Sequence, residues 1–164
     1  MEKDMIRELY DRYYGEAILY ATAICQNADL AGDLVADAFV KACIALPKDV
    51  SSFRFWLFRV CKNLYVDFLR KQPPQLSETE LQQVPDRQTP EIRYLENERY
   101  RCLWRAICSL APVDREIVTL HYFSGLPLPE VAQLVGRTYP AVRQRLVRLW
   151  KVLKQRMEEQ GYDF

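Results

Sequence analysis

The sequence predicts an all-α fold: two small helical domains joined by a flexible linker, the C-terminal one containing a helix-turn-helix. Three observations predict it. Apolar residues recur at helical spacing through both halves of the chain. Only five of the 164 residues are glycine, and no alternating strand pattern of convincing length occurs. Four of the nine prolines fall between Pro73 and Pro90, in QPPQLSETELQQVPDRQTP, where apolar residues are sparse and periodicity is lost. The boundaries that follow are a first domain at 1–72, a linker at 73–90 and a second domain at 91–164.

In the first domain the spacing predicts helices over 3–26, 29–46 and 52–71, with Asn27 and Pro47 as breaks. Asp29 is expected to cap the second helix and Ser51 or Ser52 the third, since a short side-chain oxygen there accepts a free backbone N–H. The linker has room for one short helical turn around 78–83. In the second domain helices are expected over 91–109, 112–123, 127–135 and 139–158, with turns at Ser124-Gly125 and Gly136.

With 49% apolar and 27% charged residues, the chain has enough apolar surface for one ordinary core or two small ones and is not a disordered protein. The opening MEKDMIRELYDRYYGEAILY lacks a basic stretch followed by an apolar one, so no signal peptide is expected. No uncharged apolar run reaches the roughly 18 residues of a membrane span. A cytoplasmic protein with no membrane insertion of its own is the expectation.

The five cysteines (Cys25, Cys43, Cys61, Cys102 and Cys108) stand singly on apolar-patterned segments without a C-x-x-C pair, and read as five buried thiols. His121, the one histidine, lies between Leu120 and Tyr122 and reads as a packed helix residue. No metal or other cofactor is expected. There is also no Gly-rich phosphate loop and no nucleophile with a neighbouring base, which argues against an enzyme.

The formal net charge of +1 conceals a partition. Residues 1–72 carry ten bases and ten acids, 73–99 three and six, and 100–164 ten and six, giving 0, −3 and +4. Gly136–Arg156 alone holds seven arginines and lysines and no acid.

Three helices present faces that a core does not require. At about 100° per residue, the helix from Asp29 buries Ala31, Val35, Ala38, Phe39, Ala42 and Leu46. Its other face offers Asp33, Asp37 and Lys41 beside Val40 and Ile44, which either cover a neighbouring element or dock a basic protein partner. The third helix sets Leu57, Cys61, Leu64 and Phe68 inward. Around it lie Phe55, Trp56, Phe58 and Tyr65 among Arg59, Lys62, Asn63 and Arg70, either as further core or as rings and cations for an unpaired nucleic-acid strand. In the last helix Val142, Leu146, Leu149 and Leu153 face inward, while Pro140, Gln144, Arg148 and Lys151 face outward with Arg143 on the flank. Thr138 is the expected N-cap and Pro140 sits in the first turn. Preceded by LPLPEVAQLVG, this is helix-turn-helix spacing with a recognition-type second helix: Arg137, Thr138, Tyr139, Pro140, Arg143, Gln144, Arg148 and Lys151 are the candidate duplex contacts.

At this point the sequence resembles the extracytoplasmic-function group of bacterial RNA polymerase sigma factors, which retain only sigma regions 2 and 4. ADLAGDLVADAFVKA is similar to the acid-rich helix of region 2, and FRFWLFRVCKNLYVDFLRK to its W-L-x-x-x-x-x-N-x-x-x-D-x-x-R segment, through Trp56, Leu57, Asn63, Asp67 and Arg70. The second half resembles region 4 through its L-x-P, R-E-I, L-x-Y-F-x-G, E-V-A and V-x-x-R-L-x-R elements. The resemblance implies that the Asp33–Ile44 face binds the clamp helices of core RNA polymerase. It implies that the third helix, with the loop from Lys48 to Phe53, takes the unpaired minus-10 strand, and that the last helix reads the minus-35 duplex of promoter DNA. It further implies a linker threaded towards the RNA exit path and control by an anti-sigma factor. The alternative from the residues alone is a stand-alone dimeric helix-turn-helix regulator.

Overall fold

The computed structural model describes residues 2–45, 52–71 and 97–163, all of whose regular structure is helical. The first half forms α1 (Glu2–Cys25), α2 (Ala28–Ile44) and α3 (Phe53–Lys71). The second forms α4 (Glu98–Cys108), α5 (Pro112–Val118), α6 (Leu128–Val135) and α7 (Tyr139–Glu159). The linker, its suggested helical turn, the end of the second expected helix at Leu46, the break at Pro47, the expected loop from Lys48 as far as Ser51 and the start of the helix expected at 91 lie outside the described residues.

Local chemistry sets most of the ends. Asn27, not Asp29, caps α2: its side-chain oxygen accepts the Leu30 N–H at 3.0 Å. Asp29 falls one position inside the helix, where its charge still favours the exposed N–H groups. α5 runs on into a π-helical turn over Thr119–Phe123. Ser124 N–H then bonds Thr119 O at 3.3 Å, and Gly125 at φ +64° takes the left-handed step that ends the run. His121 is part-buried there with Nδ1 3.1 Å from the Leu126 carbonyl, a packing role. Gly136 closes α6 at φ +69°, and Thr138 Oγ1 accepts the Ala141 N–H at 3.3 Å to start α7. That left-handed glycine followed by a threonine cap is the turn of the helix-turn-helix.

Helix α1 explains how the halves meet. Its first turns alternate charge with apolar residues, whereas Ala17–Cys25 contains no charge and is buried almost all round. A helix apolar on every side needs neighbours on every side. α2 and α3 cover part of it, and α5 with its π-helical turn covers the rest. The main buried cluster therefore joins Leu19, Phe39 and Phe58 of the first half to Trp104, Ile117 and Leu120 of the second. A second cluster lies within the C-terminal half, where Leu103 and Ile107 of α4 pack with Leu149, Leu153 and Met157 of α7.

Besides the cap of α2, the expectation of five buried thiols needs correction. Cys43 is exposed while the other four cysteines are buried, because it follows Ala42 on the solvent side of α2. Of the two readings open for the rings of α3, Phe58 takes the first: it belongs to the core, fully buried and edge-on to Tyr20 at 5.2 Å. The second half packs against α3, so that helix buries a wider arc than a three-helix domain alone would require.

Candidate functional surfaces

On α2, burial of Ala31, Leu34, Val35, Ala38, Phe39 and Ala42 turns the opposite arc outward. Asp33, Asp37 and Lys41 are exposed there, and Val40 and Ile44 are exposed at 57% and 81%. These aliphatic groups do not cover a neighbouring element among the described residues. A carboxylate and aliphatic surface of this kind suits a partner that brings both positive charge and apolar area.

On α3, the first turn is anchored by Phe53, fully buried, on which Trp56 stacks at 5.5 Å with planes 29° apart. Phe55 and Trp56 are half-buried, while Arg59, Asn63 and Arg70 are exposed. Arg70 lies 3.8 Å from Asp67 with both side chains largely in water, a weak pairing that leaves the guanidinium available.

Lys62 is placed differently. Its ammonium donates to Glu116 Oε1 at 3.2 Å, lies 2.9 Å from Oε2 and donates to the Leu134 carbonyl at 2.7 Å. Glu116, buried on α5, also accepts the Tyr20 hydroxyl at 2.7 Å. Burial, together with the Glu116 charge, pushes the Tyr20 phenol well above its ordinary range, so it is a neutral donor here. Beside this group Arg115 donates to Ala23 O at the end of α1 and to Leu110 O, both at 2.9 Å. Sequence reasoning missed these contacts. Arg115 and Glu116 are the R-E of the R-E-I element, and two adjacent charges followed by an apolar residue are the signal that marks them.

On α7, Val142, Leu149, Leu153 and Met157 are buried and Leu146 is half-buried. Arg137, Thr138, Tyr139, Pro140, Arg143, Gln144, Arg148 and Lys151 are all exposed. A shallow groove of about 330 Å³ is lined by Tyr139, Pro140, Arg143, Gln144 and Val147. The remaining charges of the basic helix divide as the apolar stripe requires. Arg145 pairs with Asp114 of α5 at 3.4 Å, and Arg156 donates to Ala106 O at 3.2 Å and to Ser109 Oγ. The sequence also gave no warning of a hollow of about 490 Å³ where Tyr122 and Trp150, both exposed, approach to 5.9 Å.

Among the described residues no group of His, Cys, Asp and Glu has the arrangement of a metal site, and no helix is long and apolar enough to cross a membrane.

A bundle with a left-handed-glycine helix-turn-helix and a separate aromatic and cationic helix defines a class of two-part nucleic-acid-binding proteins. Comparison with known families narrows it. Residues 9–73 match the model for sigma-70 region 2, and residues 100–151 match that for sigma-70 region 4. The chain belongs to the sigma-70 family, in its extracytoplasmic-function branch. It is similar to RNA polymerase sigma factor YlaC of Bacillus subtilis, 26% identical over 161 residues covering 94% of this chain and 93% of that one. It is also similar to ECF RNA polymerase sigma factor SigW of the same organism, 23% identical over 171 residues covering 96% and 91%. In fold it resembles the sigma factor RpoE of Bartonella quintana, solved in complex with the anti-sigma factor NepR. That match has a TM-score of 0.66 at 21% identity and covers 95% of this chain and 98% of that one.

Proposed function

We propose that this sigma factor directs core RNA polymerase to its promoters by dividing recognition among three surfaces and doing no chemistry of its own. The observation that carries the reading is the order of surfaces along one chain. An exposed acidic and aliphatic face on α2 comes first, then rings and cations on α3, then an exposed recognition-type helix α7. Asp33, Asp37, Val40, Lys41 and Ile44 dock on the basic clamp helices of the polymerase. Their carboxylates supply the charge complement and the two aliphatic side chains the apolar contact.

Phe55, Trp56, Arg59, Lys62, Asn63 and Arg70 take the unpaired minus-10 strand, rings stacking on bases while cations meet phosphates. Arg137, Thr138, Tyr139, Pro140, Arg143, Gln144, Arg148 and Lys151 meet the minus-35 duplex. Gln144 and Arg148 are the side chains suited to base edges. The domains at 1–72 and 91–164 are tethered through 73–90, and an anti-sigma factor is the expected inhibitor in the cytoplasm. Footprinting on genomic DNA fragments tests the reading. Core polymerase with this protein should protect a bipartite, asymmetric site that neither protects alone; a two-fold symmetric site protected without polymerase would make it a dimeric regulator instead.

A further inference from the structure

The two halves are held together at a polar contact set inside an apolar interface. Tyr20 of α1 and Lys62 of α3 both reach Glu116 of α5, and Lys62 also holds the carbonyl of Leu134 at the end of α6. Glu116 is 6% exposed and its carboxylate is satisfied by donors from the other half alone. The Lys62 side chain is 29% exposed, so the residue lies at the rim of the interface and not deep within it. A cation at such an edge can exchange one anionic partner for another without crossing the core.

Lys62 also stands one turn from Arg59 and beside Asn63, among the cations that the proposed function assigns to the unpaired strand. We infer that Glu116 is an internal latch that occupies Lys62 in place of a DNA phosphate, so that engaging the single strand and separating the two domains are one coupled event. The inference rests on that functional reading and adds to it a closed state that the free protein must leave.

Geometry supports the coupling. Thr138 comes four positions after Leu134, so the start of α7 lies within about 14 Å of chain from the carbonyl that Lys62 holds. The minus-10 and minus-35 elements, by their positions, are separated by about 25 base pairs, on the order of 80 Å of straight duplex. With the latch closed, α3 and α7 cannot serve both elements at once. A ligand that binds only the open state has its affinity reduced by the fraction open, and whatever breaks the latch removes that reduction.

The test uses the free full-length protein. Donor and acceptor dyes are placed on exposed Cys43 of α2 and on Lys154→Cys of α7, one in each half. In that background the unsubstituted latch should give one high-transfer population. Glu116→Gln should shift it towards low transfer at unchanged helicity. Tyr20→Phe, which keeps the buried ring and removes one donor, should do the same to a smaller extent and serves if Glu116→Gln loses helicity. In the same variants, randomised single-stranded DNA followed by anisotropy should bind about tenfold more tightly. High transfer retained in both variants overturns the latch, and so does opening with no gain in strand affinity when the wild type binds the strand. If neither wild type nor opened variant binds single-stranded DNA, the strand-binding role of α3 falls while the latch stands on its transfer change.

Discussion

Trp56 stacks on Phe53 with ring centroids 5.5 Å apart and planes 29° from parallel. Phe53 is wholly buried and Trp56 half-buried, so the inner ring fixes the outer one at the surface. The two rings should therefore fail differently. Trp56→Ala should weaken single-strand binding by about 1–3 kcal/mol with a small loss of stability. Phe53→Ala should cost about 3–5 kcal/mol of folding stability. Urea melts and oligonucleotide titrations separate the two; equal losses in both assays for both variants would remove Trp56 from the contact surface.

Arg148 and Arg145, three residues apart on α7, should also separate. Arg148 is exposed, whereas Arg145 is committed to Asp114. Arg148→Ala should lower the slope of log affinity for minus-35 duplex against log salt by about 0.9, one phosphate contact. Arg145→Ala should leave that slope unchanged and, with its pair partly in water, cost no more than about 1 kcal/mol of stability. An unchanged slope in Arg148→Ala would take that residue off the phosphate list.

Asp37 faces solvent on α2. Asp37→Arg reverses a charge without disturbing the core, so the thermal midpoint should stay within a degree or two of wild type, on the scale of a surface change. Binding to core polymerase should be lost by at least about a hundredfold. Pull-down by core polymerase at wild-type strength would relocate the docking face.

The buried thiols give a pH signature. Burial pushes Cys25 from 9.0 up to about 11 and Cys61 from 9.0 up to about 12. In the folded chain they hold their protons where the unfolded chain has lost them. Their contribution to stability is therefore complete below about pH 9 and is lost as pH rises through 11 to 12. Cys61→Ala should flatten that alkaline loss. At pH 8 a thiol reagent should modify Cys43 rapidly in the native protein and reach the four buried cysteines only on unfolding. Rapid modification of Cys61 in the folded state would contradict its burial.

Most helices were legible in the sequence because their ends carry chemistry: Gly136 with Thr138, Ser124-Gly125 and the stripe from Val142 to Leu153 all fall where the pattern placed them. The outward set on α7 followed from that stripe alone. The association of the halves was harder to read. The charge-free run from Ala17 to Cys25 announces a helix covered on every side, but helical periodicity does not say by what. For the same reason the pattern leaves Phe58 open between core and surface and places Lys62 on the surface, since a stripe drawn for one three-helix domain cannot anticipate a second domain packed on it. The capping error was local: Asn27 and Asp29 are both suitable residues, and only the backbone shows that Asn27 is the one left extended, at φ −147°.

Promoter-specific initiation is the role proposed for these surfaces together. Transcription by core RNA polymerase on a pool of genomic upstream fragments, with transcript 5′ ends mapped, tests it most directly. Discrete start sites should appear only when the protein is added and should vanish with Asp37→Arg. Start sites indistinguishable with and without the protein would contradict it.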